Sequence, residues 1–166
     1  MSSKNVSHGI QGATFGAMDA IINVLGIIVG LGVIGNRAVV IIGLLVAGIA
    51  NSLGNAAGFH VSEETEGIHT RGEVWLSTIM SFSGTIIVTI VLVLPLLFFG
   101  LSQAIAISVL GGMTIIVLMG AFNGRQSGNG KKGALSLILE YLVLAVVVIL
   151  IAYYLGGLAS AMLNGI

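Results

Sequence analysis

Charge is what this sequence has least of. Only 7% of its 166 residues are charged, against 57% hydrophobic. Soluble domains carry about 25% charged residues, so the composition excludes a soluble domain and predicts an integral membrane protein. Cysteine is absent, which excludes disulfides, thiolate metal sites and cysteine nucleophiles. The formal net charge is zero, so nothing points to nucleic acid as a partner. There is a single proline but 25 glycines, and small residues of this kind let membrane helices pack closely. No nucleophile–base pair and no phosphate-binding glycine loop emerges, so no enzymatic activity is expected. The N-terminus, Met1-Ser2-Ser3-Lys4, lacks the pattern of a cleaved signal.

What the chain does have is five long apolar runs, at about 9–34, 38–60, 74–99, 101–122 and 134–158. A spanning helix needs about 20 mostly apolar residues, whereas membrane strands are about 9–11 residues long and alternate. The runs therefore predict an all-α, five-helix membrane bundle forming a single domain. The joints fall at Gly35-Asn36-Arg37, the short acidic loop 61–73, a tight turn at Gly100, and a glycine-rich loop over 123–133. Pro95 is expected to kink the third span near its end. Lys4, Arg71, Arg125, Lys131 and Lys132 would lie on one side and only Arg37 on the other, which predicts a cytoplasmic N-terminus and an outside C-terminus. Trp75 and Tyr141 would then fall at the inner interface, and Tyr153 and Tyr154 at the outer one. A prokaryotic plasma membrane is the expected location.

The first run carries a carboxylate, Asp19, in its interior, with Asn23 four residues on and therefore on the same helix face. An ionised Asp at the centre of a spanning helix costs roughly 2.5–3.5 kcal/mol on insertion scales. Such a residue faces a bundle interior, a partner or a water-filled path. Hard cations prefer oxygen ligands, so Asp19 marks a candidate cation path. The plainer reading is a carboxylate bonded to a neighbouring helix. The second span carries Asn51, Asn55, Gly58 and Ser62 at helical spacing, a polar stripe that could face Asp19 or simply tie two helices. Glu63, Glu66 and His69 follow it as candidate ligands for Fe²⁺, Mn²⁺ or Zn²⁺, or as a solvated charged segment. If a helix ran on through this segment, Glu66, His69 and Glu73 would line up. Met80 offers a soft thioether to the path, although methionine in an apolar helix is usually packing material. Glu140 in the fifth span is either a partner for nearby lysines or a second functional carboxylate. Gly12, Gly16 and Ala20, then Gly26 and Gly30, form small-residue ridges that suit packing within the chain or a homodimer seam along the first helix.

The stretch Gly16-Ala17-Met18-Asp19-Ala20-Ile21, with Gly26-Ile27-Ile28-Val29-Gly30 and the segment from Asn51 to Glu64, resembles the vacuolar iron transporter family of iron and manganese carriers. The resemblance covers roughly the first 70 residues by motif and the rest by topology. It implies a homodimer whose first helices line a central path, with metal leaving the cytoplasm in exchange for protons and Asp19 as the path carboxylate. Asn55 stands where the family usually has a metal-ligating Met, Phe59 where it usually has Glu, and Ala20 where it has Gly. The family's Glu-rich cytoplasmic insert is reduced here to a short loop.

The expectation is thus a divalent-metal/proton antiporter with a path through Asp19, Asn23, Asn51, Asn55 and Met80 and a cytoplasmic loading site at Glu63, Glu66 and His69. No permanently bound cofactor is expected, only the transported metal. The alternatives are a non-transporting scaffold or partner-binding subunit on the same fold, and a channel for another solute.

Overall fold

A computed structural model describes residues 3–126 and 130–164. Among them the chain is all-helical, in the order α1 (Ser3–Gly32), α2 (Arg37–Glu66), α3 (Arg71–Val93), α4 (Pro95–Phe98), α5 (Leu101–Gln126) and α6 (Gly130–Asn164). Five stretches are long and apolar enough to cross a membrane: Gly9–Gly32, Arg37–Glu66, Arg71–Phe98, Leu101–Arg125 and Lys132–Leu163. This agrees with the five runs read from the sequence and is consistent with an integral membrane protein.

α2, α5 and α6 run past the apolar stretches, to Glu66, to Gln126 and from Gly130 to Asn164, whereas α3 stops short at Val93. α1 stops at a glycine just beyond it, Gly35, whose φ of 76° is the left-handed conformation that closes helices cheaply only when no Cβ is present. Asn36 then caps α2, its Oδ1 accepting from the backbone N–H groups of Ala38 at 3.0 Å and Val39 at 3.3 Å, two donors a helix start otherwise leaves unsatisfied. α2 runs on to Glu66 and ends at Gly67, again at positive φ.

α3 opens with a capping box. The Glu73 carboxylate accepts from the Thr70 backbone N–H and hydroxyl, both at 2.9 Å, while the Thr70 hydroxyl oxygen accepts from the Glu73 N–H at 3.4 Å. This reciprocal pairing is what Thr-x-x-Glu encodes. Glu73 therefore starts a new helix, and it does not extend the line of Glu66 and His69 as a continuous helix would have made it do. Pro95 interrupts α3 as expected: α3 ends at Val93 and the proline sits at the first turn of α4, where its missing N–H costs nothing. The expected loop over 123–133 shrinks, since α5 reaches Gln126 and α6 begins at Gly130; Ser127, Gly128 and Asn129 lie outside the described residues.

The chain divides into two compact units, one of residues 1–20 and 45–91, the other of 21–44 and 92–166. In the first, α1 and α3 touch at backbone level. A Cβ at Gly12 would collide with the Ser77 carbonyl, one at Gly16 with the Ser81 carbonyl, and one at Gly84 with the Ala13 carbonyl. In the second, Gly30 and Gly156 meet in the same way, Gly26 lies against Val148, Gly112 against Ile21 and Leu25, and Gly124 against Ala134. Both glycine ridges of α1 are therefore used inside the chain.

Candidate functional site

Within the first unit, the polar residues of three helices meet at Asp19. Gly12 and Gly16 bring α1 against α3, and the register places Thr85 at Gly16: its hydroxyl lies 3.0 Å from the carbonyls of both Gly16 and Ser81, which share its one proton. α2 carries Asn51 and Asn55 one helical turn apart, hence on one face. Their side-chain amides both donate to Oδ2 of Asp19, at 2.5 and 2.7 Å. Asn55 Nδ2 also reaches Thr85 Oγ1 at 3.2 Å. A chain of hydrogen bonds thus runs from Asp19 through Asn55 and Thr85 to the α1 backbone.

Asp19, Asn51 and Asn55 are each only half-buried, whereas Thr85 and the neighbouring Ser52 and Ser81 are fully buried. The carboxylate therefore stands at the surface of its unit, with a hydroxyl-rich layer behind it. Hydrogen bonds to a charged acceptor are short and about twice as strong as neutral ones, and two of them on one oxygen offset part of the cost of placing the charge there. Each amide that gives its N–H₂ to Asp19 keeps its carbonyl oxygen as an acceptor. The cluster thus combines one carboxylate with two amides, groups whose oxygens are of the type hard cations prefer.

The other residues singled out from the sequence are distributed differently. Asn23 belongs to the second unit, four residues past Asp19 on α1. Met80 packs with its Cγ 3.6 Å from the Cβ position of Gly9, ten residues before Asp19 and so about 15 Å away along the helix axis. It is not brought to the Asp19 cluster. Gly54 and Gly58 face open space, and Ser62 is exposed, so only Asn51 and Asn55 of the α2 stripe turn toward Asp19. Phe59 packs against Phe15 with ring centroids 5.2 Å apart and the rings tilted by 41°, an apolar pairing between α2 and α1.

The α2–α3 connection draws Glu63, Glu66 and His69 together. His69 Nε2 lies 3.1 Å from Glu66 and 3.6 Å from Glu63, and Glu63 is buried at 4% exposure. Even so, among the described residues no group of three His, Asp or Glu side chains is arranged to hold a metal ion. What forms there is an imidazole between two carboxylates. Glu140 is exposed on α6.

One constellation escaped the sequence reading. His60 packs edge-on against Trp75, with ring centroids 4.8 Å apart, and its Nδ1 lies 2.9 Å from Thr78 Oγ1. A cleft of about 240 Å³ opens beside it, lined by His60, Glu64, Arg71, Val74 and Trp75. The available signal was the position of His60 and Trp75 at facing ends of successive spans.

Comparison with models of protein families, with curated proteins and with solved structures finds no match. Nothing in those comparisons identifies the chain as a vacuolar iron transporter, and that resemblance rests on the residues of the first two spans alone.

Proposed function

We propose that this protein carries cations across a membrane, with Asp19 as the ligand that the cargo passes and divalent metals as the favoured cargo. The observation that carries the reading is the half-buried Asp19 carboxylate, set within a spanning helix and held by the Asn51 and Asn55 amides at 2.5 and 2.7 Å. A charge placed there is expensive to leave against lipid. A second copy of the chain covering this face would both shield the carboxylate and enclose a path beside it. Rotation of the two amides by a half-turn would exchange their N–H₂ groups for carbonyl oxygens, giving an approaching cation a carboxylate and two amide oxygens. Protonation of Asp19 would release it, which makes proton exchange the natural coupling.

The test is flux. The full chain in liposomes should admit Mn²⁺ or Fe²⁺, read by quenching of an enclosed fluorophore. Asp19→Asn, which keeps the shape and the hydrogen bonds but removes the charge, should abolish that flux while leaving thermal unfolding nearly unchanged. Absence of flux in the unaltered protein refutes the carrier reading.

A second reading has its own observation. Both amides donate to the same carboxylate oxygen, which is also what a helix-to-helix tie requires. On that reading the protein is a non-transporting membrane subunit. Asp19→Ala would then lower stability, and no variant would alter cation permeability.

A further inference from the structure

The cleft beside His60 brings together groups that the cation path does not use. Arg71 and Glu64 carry opposite charges on its walls, and among the described residues no ion pair joins them; His60 Nε2 lies 3.9 Å from Glu64. The Thr78 hydroxyl donates its one proton to the Val74 carbonyl, at 2.7 Å. In the tautomer with its proton on Nδ1, His60 donates to Thr78 at 2.9 Å and Nε2 presents its lone pair on the Glu64 side. One side of the cleft thus offers acceptors, Glu64 and His60 Nε2. Arg71 offers a fork of donors suited to phosphate. Val74 is buried and Trp75 is 58% exposed at the rim. At about 240 Å³ the space falls short of the roughly 300–1,000 Å³ typical of drug-sized ligands and suits a small polar group.

The cleft also stands where the last residues of one candidate span, Arg37–Glu66, face the first of the next, Arg71–Phe98. That is the depth at which tryptophan settles among lipid headgroups. We infer that this cleft binds a zwitterionic phosphoethanolamine group, its phosphate on Arg71 and its ammonium on Glu64 and His60 Nε2, with Trp75 against the adjoining glycerol region when the group belongs to a lipid. A choline head keeps the charge but loses the N–H donors. A glycerol head loses the cation altogether.

The measurement is native mass spectrometry of the full chain released from micelles doped with phosphatidylethanolamine, phosphatidylcholine or phosphatidylglycerol of matched acyl chains. Phosphatidylethanolamine should be retained about tenfold over phosphatidylglycerol, the scale of one charge-assisted hydrogen bond. Glu64→Gln should collapse that preference while leaving phosphatidylglycerol retention unchanged. Arg71→Ala should weaken both lipids, with Arg71→Lys recovering part of the loss. Displacement of bound lipid by soluble phosphoethanolamine would assign the site to the free headgroup compound, and failure of that competitor would assign it to the membrane lipid. Equal retention of the three lipids by the unaltered protein, or a preference that survives both Glu64→Gln and Arg71→Ala, overturns the inference. Because Arg71 and Glu64 are exposed, their replacement should leave the helical circular dichroism unchanged, and the unaltered protein decides the lipid preference without any variant.

Discussion

The two compact units solve the same packing problem with different chemistry. Both bring helices together at glycines until backbone meets backbone. The first then fills its contacts with hydroxyls and amides: Ser77, Thr78, Ser81, Thr85 and Thr89 are buried along one helix, and Asn51 and Asn55 reach across to Asp19. The second is closed by aliphatic side chains such as Ile21, Leu25, Leu92, Leu96 and Ile116, with Ser108 donating to the Leu92 carbonyl at 2.7 Å. In a bilayer, apolar side chains gain little by leaving lipid for protein, so association depends on close packing and hydrogen bonds. The mostly aliphatic unit is consequently held chiefly by fit, while the hydroxyl-lined unit adds more directional bonds and can tolerate a charge. Function is expected where that tolerance has been built.

The sharpest way to break the comparison is to fill the glycine contacts. Gly16→Val in the first unit and Gly156→Val in the second would each drive methyl groups into a backbone carbonyl, and each should cost about 3 kcal/mol or prevent folding, read by thermal unfolding in detergent. Equal losses would show that backbone contact underlies both units. Next comes the polar cluster. Asn51→Ala or Asn55→Ala should cost about 0.6–1.7 kcal/mol, the measured range for hydrogen bonds between membrane helices, and Asn55→Ala should also release Thr85. Thr70→Ala at the start of α3 should cost about 1 kcal/mol, as loss of a helix cap does, with faster hydrogen exchange confined to the first turn of α3. Smallest of all is Gly54→Ala, which points into open space and should change stability by less than about 0.5 kcal/mol. A large loss there would show that α2 is covered by a second copy, and cross-linking through this face would identify it.

Most of the architecture was legible before any coordinates, because spans announce themselves by length and apolarity. The polar ends were harder to read. Ser62-Glu63-Glu64-Thr65-Glu66 looks like a charged loop by composition, but Glu is a good helix former, and an established helix propagates through it. Thr70 to Glu73 carries a readable capping signal, Thr-x-x-Glu at a helix start, which neither a metal-ligand nor a charged-loop reading of the segment brings out. Helical spacing puts Asn51 and Asn55 on one face; that this face meets Asp19 comes from the hydrogen bonds at 2.5 and 2.7 Å. Which of the small-residue ridges faced which neighbour was not legible, since Gly12 and Gly16 would serve α3 or another chain equally well; the carbonyls of Ser77 and Ser81 decide it.

α6 is 35 residues long, which at 1.5 Å per residue makes a rod of about 52 Å. The hydrocarbon slab it must cross is about 30 Å thick. The surplus is taken up by leaning, by bending or by projecting past the lipid, and the leaning share depends on how thick the surrounding membrane is. Moving the protein from thin to thick lipids should therefore change the inclination of α6.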